Sequence, residues 1–172
     1  MEYVGTEPLT IVDTNALCPR VLIEVLKKKP EYATLQQVTP DYPLGQLIYT
    51  INSFLNVTSK HLIKIDTFRI IFNKLNNEKG DGFLVLNKNG YLHVVGFITV
   101  DDKLTIYDPR NGSLSMFSIK PGATIEQFSD DFEILFPDYS IIIGYFIVPI
   151  TGGKRRTRKA KKSRRKTRKY KR

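Results

Sequence analysis

The sequence has a single cysteine, Cys18, and no long apolar run among its 172 residues. One cysteine excludes an internal disulfide and a zinc site built from several cysteines, so the expected setting is reducing and intracellular. No stretch approaches the roughly 20 apolar residues that a membrane span needs. The N-terminus also lacks the basic and apolar regions of a secretory signal. Together these absences predict an intracellular protein that does not cross a membrane.

Acidic residues are absent from the last 19 positions, which divides the chain into two parts of opposite charge. The formal net charge is +10, but residues 154–172 alone hold 14 Lys and Arg. The preceding 153 residues therefore hold 13 Lys and Arg against 17 Asp and Glu, a formal charge of −4. We predict one folded domain over residues 1–150 and a disordered polybasic tail over residues 151–172.

The apolar pattern changes from helical to strand-like along the chain. Helical spacing predicts helices over residues 17–29, 44–56 and 65–76, and Pro19 suits the first turn of the first helix. Strand formers separated by turn signals predict five strands and the start of a short helix. These cover residues 82–86, 91–100, 104–107, 113–119 and 140–148, with the helix starting at 124–128. The expected fold class is α+β, with N-terminal helices on a mostly antiparallel sheet of four to five strands.

Three residues in this pattern are candidates for catalysis. Cys18 begins the first helix, where unpaired N–H groups and the helix dipole favour a thiolate. A two-residue loop at positions 101–102 would place His93 and Asp108 on one face of a hairpin, with their Cβ atoms about 7 Å apart. If the N-terminus of the helix packs against that face, the three residues form a nucleophile, a base and an orienting group. The other histidine, His61, is expected at the surface or at a helix start.

These residues carry a resemblance to a known family. Residues 15–18 (NALC), followed by an apolar helix, resemble the nucleophile helix of papain-like cysteine peptidases. Residues 90–97 (GYLHVVGF) and 104–109 (LTIYDP) resemble the His and Asp strands of the compact branch of that superfamily. Bacteriocin-leader peptidases and Josephin-type deubiquitinases belong to this branch.

The resemblance implies a thiol-dependent peptidase or isopeptidase that needs no cofactor and no metal. In such families the cysteine attacks a peptide or isopeptide carbonyl, so Cys18 would be the nucleophile. His93 would carry protons and Asp108 would hold His93 in place. The implied substrate is a protein or a ubiquitin-like modifier.

The residues before the cysteine depart from the family pattern. These families place a Gln five or six residues before the nucleophile, where this chain has Val12 and Asp13. Asn15 is the nearest amide and is the candidate oxyanion donor; losing one such donor lowers the rate by about 10² to 10³. Residues 13–17 (DTNAL) also resemble the nucleophile motif of ovarian-tumour-type deubiquitinases. On that alternative the nucleophile position holds Ala16, and the protein is inactive.

The tail has the composition of a nucleic-acid-binding segment. Its cations would condense on phosphate backbones without reading sequence. The composition also suits nuclear import, and an anionic membrane surface is a weaker third option for its partner. Gly-Gly followed by a Lys/Arg array resembles the tails of virion and core proteins of large nucleocytoplasmic DNA viruses, which implies a nucleus or a virion as the location. The predicted contact residues are Lys154, Arg155, Arg156, Arg158, Lys159, Lys161, Lys162, Arg164, Arg165, Lys166, Arg168 and Lys169.

Two functions from different classes follow from the sequence. In the first, a papain-like hydrolase is tethered to nucleic acid by its tail. In the second, the fold is a catalytically inactive scaffold and binding of nucleic acid is the function. The junction at residues 152–154 is itself a candidate cleavage site for a Gly-Gly-selective peptidase.

Overall fold

The computed structural model describes residues 1–9, 18–39, 43–110 and 113–150. The predicted tail and the candidate oxyanion donor Asn15 lie outside these residues, as do the side chains of Cys18 and Arg110. The described helices are α1 (Cys18–Lys27), α2 (Leu44–Val57), α3 (Phe68–Asn73) and α4 (Ile125–Leu135). The described strands are β1 (Glu2–Pro8), β2 (Lys60–Ile65), β3 (Asp81–Lys88), β4 (Tyr91–Val100), β5 (Lys103–Arg110), β6 (Ser113–Ser118) and β7 (Ser140–Pro149).

The seven strands form one sheet in the order β1-β6-β5-β4-β3-β7-β2, and every paired neighbour is antiparallel. The predicted α+β class is confirmed. The predicted number of strands is wrong, because β1 and β2 join the sheet at its two edges. The expectation of helices first and strands later is wrong for the same reason, since β1 precedes α1 and β2 lies between α2 and α3.

The segment after α2 differs most from the prediction. The sequence predicts one helix over residues 65–76, but β2 ends at Ile65 and α3 begins at Phe68. A short π-helix, Lys74–Glu78, then continues α3 into the turn before β3. Alternation in β2 is hard to recognise because an edge strand buries few of its side chains.

Helices cover both faces of the sheet, so two hydrophobic cores form. On one face, α1 and α2 contribute Leu22, Val25 and Leu47 to a core shared with Val85 and Val94 of the sheet. We call this the α1 face. Alternate residues of the same strands point the other way. They form a second core with α3 and α4 that contains Phe97, Phe128 and Phe136, and we call this the α4 face.

Close packing of α1 on the sheet depends on a glycine in β4. A Cβ atom at Gly96 would lie 3.0 Å from Cγ1 of Val25 and 3.1 Å from Cδ1 of Leu22. These separations are shorter than ordinary van der Waals contact, so a larger residue would push the helix away. This contact fixes the height of α1 above β4, the strand that carries His93.

Candidate functional site

The hairpin of β4 and β5 brings His93 and Asp108 together. The expected two-residue loop is confirmed, because Val100 pairs with Lys103 and the register continues to Gly96 opposite Tyr107. Both loop residues, Asp101 and Asp102, have positive φ angles of 48° and 60°. Left-handed conformations at both positions match the twist of a tight hairpin, and Asp tolerates them.

A hydrogen bond joins the two predicted residues. Nε2 of His93 lies 2.5 Å from Oδ1 of Asp108. The Asp108 side chain is 1% exposed, whereas the His93 side chain is 17% exposed. The predicted proximity of this pair is therefore confirmed. Because Nε2 faces the carboxylate, Nδ1 is the candidate ring nitrogen for proton exchange with a reacting group.

The imidazole opens into a cleft of about 350 Å³ on the α4 face. Tyr139 packs against the ring of His93 with a centroid separation of 5.5 Å. The other walls come from Phe136 and Pro137 at the end of α4 and from Pro109 of β5, and Lys88 of β3 lines the rim. A mostly apolar wall around one oriented imidazole is an arrangement suited to acid–base chemistry on a bound substrate.

Apart from Pro109, which belongs to the motif at residues 104–109, none of these wall residues was singled out by the sequence. Tyr139 and Phe136 reach His93 only because α4 packs on the sheet, which is a long-range contact. The sequence signal for that region was a helix start at Thr124, and the structure places a capping box there. A cap identifies where a helix begins but not which strand residue its far end contacts.

The α1 helix begins at Cys18, as predicted. Beyond its C-terminal end, Nζ of Lys29 reaches the carboxylate of Asp81 at 2.7 Å. The same carboxylate accepts a hydrogen bond from the backbone N–H of Thr99, near the end of β4. The helix therefore runs antiparallel to β4, and Cys18 lies toward the end of the strand that holds His93.

The helix and the imidazole nevertheless lie on different faces of the sheet. His93 pairs with Leu86, which belongs to the core on the α4 face, whereas α1 packs on Val94 of the opposite face. The body of the helix therefore does not meet the condition for a triad, which was packing of the N-terminus of the helix on the face of His93 and Asp108. Alternation along β4 places His93 and Val94 on opposite faces, and sequence periodicity does not determine which of the two faces the helix covers. Cys18 shares an end of the sheet with the pair, and its side chain lies outside the described residues.

The second histidine lies in a strand. His61 belongs to β2 and pairs with Val148, so the expectation of a helix start is wrong. Its Nδ1 atom is buried and has no hydrogen-bond partner among the described residues. The strand is at the edge of the sheet opposite to β1, three strands away from β4. His61 is therefore separate from the cleft and serves as an internal reference for His93.

A second buried carboxylate lies at the other end of the sheet. Asp81 is 5% exposed and accepts hydrogen bonds from Lys29, the hydroxyl of Tyr32 at 2.7 Å and the backbone of Thr99. Burial by itself lowers the pKa of Lys29, but the hydrogen bond and charge of Asp81 outweigh it, and the pKa is raised. Burial, followed by the charge of Asp81, raises the pKa of Tyr32. The carboxylate of Asp81 thus already accepts from three donors, and Asp81 does not line the cleft.

Within the described ranges, no group of three or more His, Cys, Asp or Glu side chains is placed to hold a metal ion. No helix in that part of the chain has the length and apolar character to cross a membrane. Comparison with known proteins found no matching protein family, no matching curated protein and no matching solved structure.

Proposed function

We propose that the protein is a papain-like thiol hydrolase that cleaves peptide or isopeptide bonds. The observation that carries this proposal is the hydrogen bond between His93 and the fully buried Asp108, with the imidazole facing a cleft. A buried carboxylate that fixes one ring nitrogen leaves the other nitrogen as the base. The start of α1 at Cys18, toward the same end of β4, supports this cysteine as the nucleophile.

The proposed reaction follows acyl transfer. The Cys18 thiolate attacks the carbonyl carbon, and a tetrahedral intermediate forms, for whose oxyanion Asn15 is the proposed hydrogen-bond donor. The C–N bond then breaks, and the imidazolium of His93 gives its proton to the leaving amine. Water, activated by the neutral imidazole, hydrolyses the thioester and returns the thiol. Asp108 stays ionised and stabilises the imidazolium.

The composition of the tail indicates where the proposed hydrolase would act. Fourteen cations in residues 154–172, without one acidic residue, favour binding to the phosphate backbone of nucleic acid. We propose that the tail tethers the hydrolase to a genome or to another nucleic acid, in a nucleus or a virion. The domain has a formal charge of −4, so the phosphates would repel it while the tail binds them.

One observation favours a second candidate function. The described core residues of α1 pack on the face of the sheet opposite to His93. On this alternative the domain is an inactive scaffold, and the tail carries the function by binding nucleic acid. The two candidates differ in whether cleavage depends on Cys18.

Cleavage of a mixed peptide library, read by mass spectrometry, separates the two candidates. We expect new termini with the wild type, and loss of them with Cys18→Ala and with His93→Gln. His61→Gln is the matched control, because it makes the same change at the other histidine, and it should cleave like the wild type. Absence of cleavage by the wild type, or cleavage that survives Cys18→Ala, contradicts the hydrolase and leaves the scaffold.

Binding of random-sequence duplex tests the tail under either candidate. We expect affinity to fall steeply as salt increases, because bound cations release counterions from the duplex. Truncation after Gly153 should abolish this binding. Unchanged affinity after truncation contradicts the role of the tail.

A further inference from the structure

The cleft beside His93 has an unequal distribution of charge that bears on the substrate. Lys88 is the one cationic side chain that lines it within the described part of the chain. Asp108 is the only carboxylate that lines the cleft among the described residues, and it is buried and engaged with the imidazole. The other described wall residues are proline and aromatic side chains, so the charged group that a ligand can reach in the wall is the ammonium of Lys88, which pairs with Asp138.

The position of Lys88 relative to the imidazole follows from the strand register. His93 pairs with Leu86, and Lys88 pairs with Tyr91, so all four residues lie along one face of the β3–β4 hairpin. Lys88 is therefore a diagonal neighbour of His93, at a distance of roughly 7 to 8 Å. That distance corresponds to about two residues of an extended peptide.

Lys88 is held at the rim by weak contacts that a ligand can replace. Its Nζ lies 3.2 Å from Oδ2 of Asp138 and 5.4 Å from the ring centroid of Tyr139. The Asp138 side chain is 69% exposed, so this ion pair is solvated and contributes little. Tyr91, directly across from Lys88, is 79% exposed and has no ring partner among the described residues. An exposed tyrosine beside a lysine is typical of a surface that contacts a partner.

The chemistry decides which part of a substrate occupies this cleft. In acyl transfer the imidazolium gives its proton to the leaving amine, so the leaving group must lie against His93. The cleft is the space against His93. We therefore infer that the Lys88 rim is the subsite for the leaving-group side of the substrate, and that it selects an acidic residue one or two positions beyond the scissile bond. This inference rests on the proposed hydrolase function.

The preference for an acidic residue beside Lys88 also disfavours substrates with a basic leaving group. A leaving group rich in lysine or arginine would bring like charge to Lys88, and like charges repel when they share a partly desolvated cleft. Substrates are thus expected to be cleaved before acidic segments rather than before basic ones. The junction at residues 152–154, which precedes the basic tail, is disfavoured by the same argument.

A charge reversal with a matched control tests the inference on the full chain. The peptide library is cleaved by the wild type, by Lys88→Glu and by Lys64→Glu. Lys64 is an exposed residue of β2 at the far edge of the sheet, so it controls for the change in net charge. With the wild type we expect Asp or Glu at the first two leaving-side positions to be favoured about threefold over neutral residues. Lys88→Glu should reverse this preference, a total change of about tenfold, and Lys64→Glu should leave it unaltered.

The outcomes separate this inference from the function on which it rests. Cys18-dependent cleavage with no charge preference, or with a preference that Lys88→Glu does not move, overturns the subsite and leaves the hydrolase. An equal shift in Lys64→Glu also overturns it, because the effect would then come from net charge. Absence of any Cys18-dependent cleavage overturns both.

Discussion

The two ends of the sheet each bury an aspartate, but the two carboxylates have different surroundings. Asp81 accepts from the ammonium group of Lys29, the phenol of Tyr32 and the backbone N–H of Thr99, which come from the segment after α1 and from β4. Asp108 is bonded to an imidazole that faces a cleft. A carboxylate surrounded by donors locks elements together, whereas one that orients a titratable ring facing solvent is suited to chemistry. We therefore propose that the Asp81 end serves stability and that the Asp108 end serves function.

The largest expected effect lies at the Asp108 end. Asp108→Asn keeps the shape of the side chain but removes the charge that stabilises the imidazolium and selects its tautomer. We expect kcat/KM for peptide cleavage to fall by about 10² to 10⁴. The free energy of unfolding should change by only about 1 kcal/mol, because the amide oxygen can still accept a hydrogen bond from the imidazole. Activity that stays within a factor of three of the wild type would show that the carboxylate does not serve catalysis.

The converse effect is expected at the Asp81 end. Asp81→Asn leaves Lys29 facing a neutral amide and weakens the link between α1, the Pro30–Tyr32 turn and β3. We expect a loss of about 3 kcal/mol in the free energy of unfolding, measured by denaturant titration. Cleavage per folded molecule should match the wild type. A drop in activity larger than the drop in folded fraction would break the distinction between the two ends.

A smaller effect concerns alkaline pH. The pKa values of Lys29 and Tyr32 are raised in the folded protein, so both groups stabilise it fully below their unfolded values near 10. This contribution is lost as the pH rises above about 10, because the unfolded chain then releases protons that the folded chain retains. Burial also raises the pKa of Tyr107 and Tyr145, which adds to the loss.

Denaturant titrations at pH 8 and pH 11 measure this loss, and Tyr32→Phe isolates the part that comes from the Asp81 end. The variant should start less stable, since it lacks the hydrogen bond to Asp81. It should then lose less free energy than the wild type between the two pH values, by up to about 1.4 kcal/mol for each pH unit above 10. If the wild type and Tyr32→Phe lose equal free energy of unfolding between pH 8 and pH 11, the alkaline loss of stability does not come from Tyr32.

The elements with strong local signals were predictable, and those defined by long-range pairing were not. The Asp101–Asp102 turn fixed the β4–β5 register, and helical spacing identified α1 and α2 nearly to their ends. β1 was missed because it buries few side chains and pairs with β6, more than 100 residues later. β2 pairs with β7, which is also distant in sequence. Edge strands of this kind carry little periodicity of their own.

The candidate site divides in the same way. The contact between His93 and Asp108 followed from one turn and the alternation of two strands. The face on which α1 packs depends on the route of the chain between β1 and β3, which no local pattern specifies. The walls of the cleft depend on where α4 ends. Local sequence patterns therefore predicted the contact between His93 and Asp108. Long-range packing determined which residues surround that contact.

The central claim is that Cys18 and His93 act as one unit, and the alkylation rate of the thiol tests it most directly. Cys18 is the only cysteine in the chain, so iodoacetamide reports on this thiol alone. We predict fast alkylation at pH 6 for the wild type and for His61→Gln, and a rate at least tenfold lower for His93→Gln, because an adjacent imidazolium favours the thiolate. If all three proteins instead follow one profile that rises near pH 8.5, as for an ordinary thiol, the two residues do not interact and the claim is wrong.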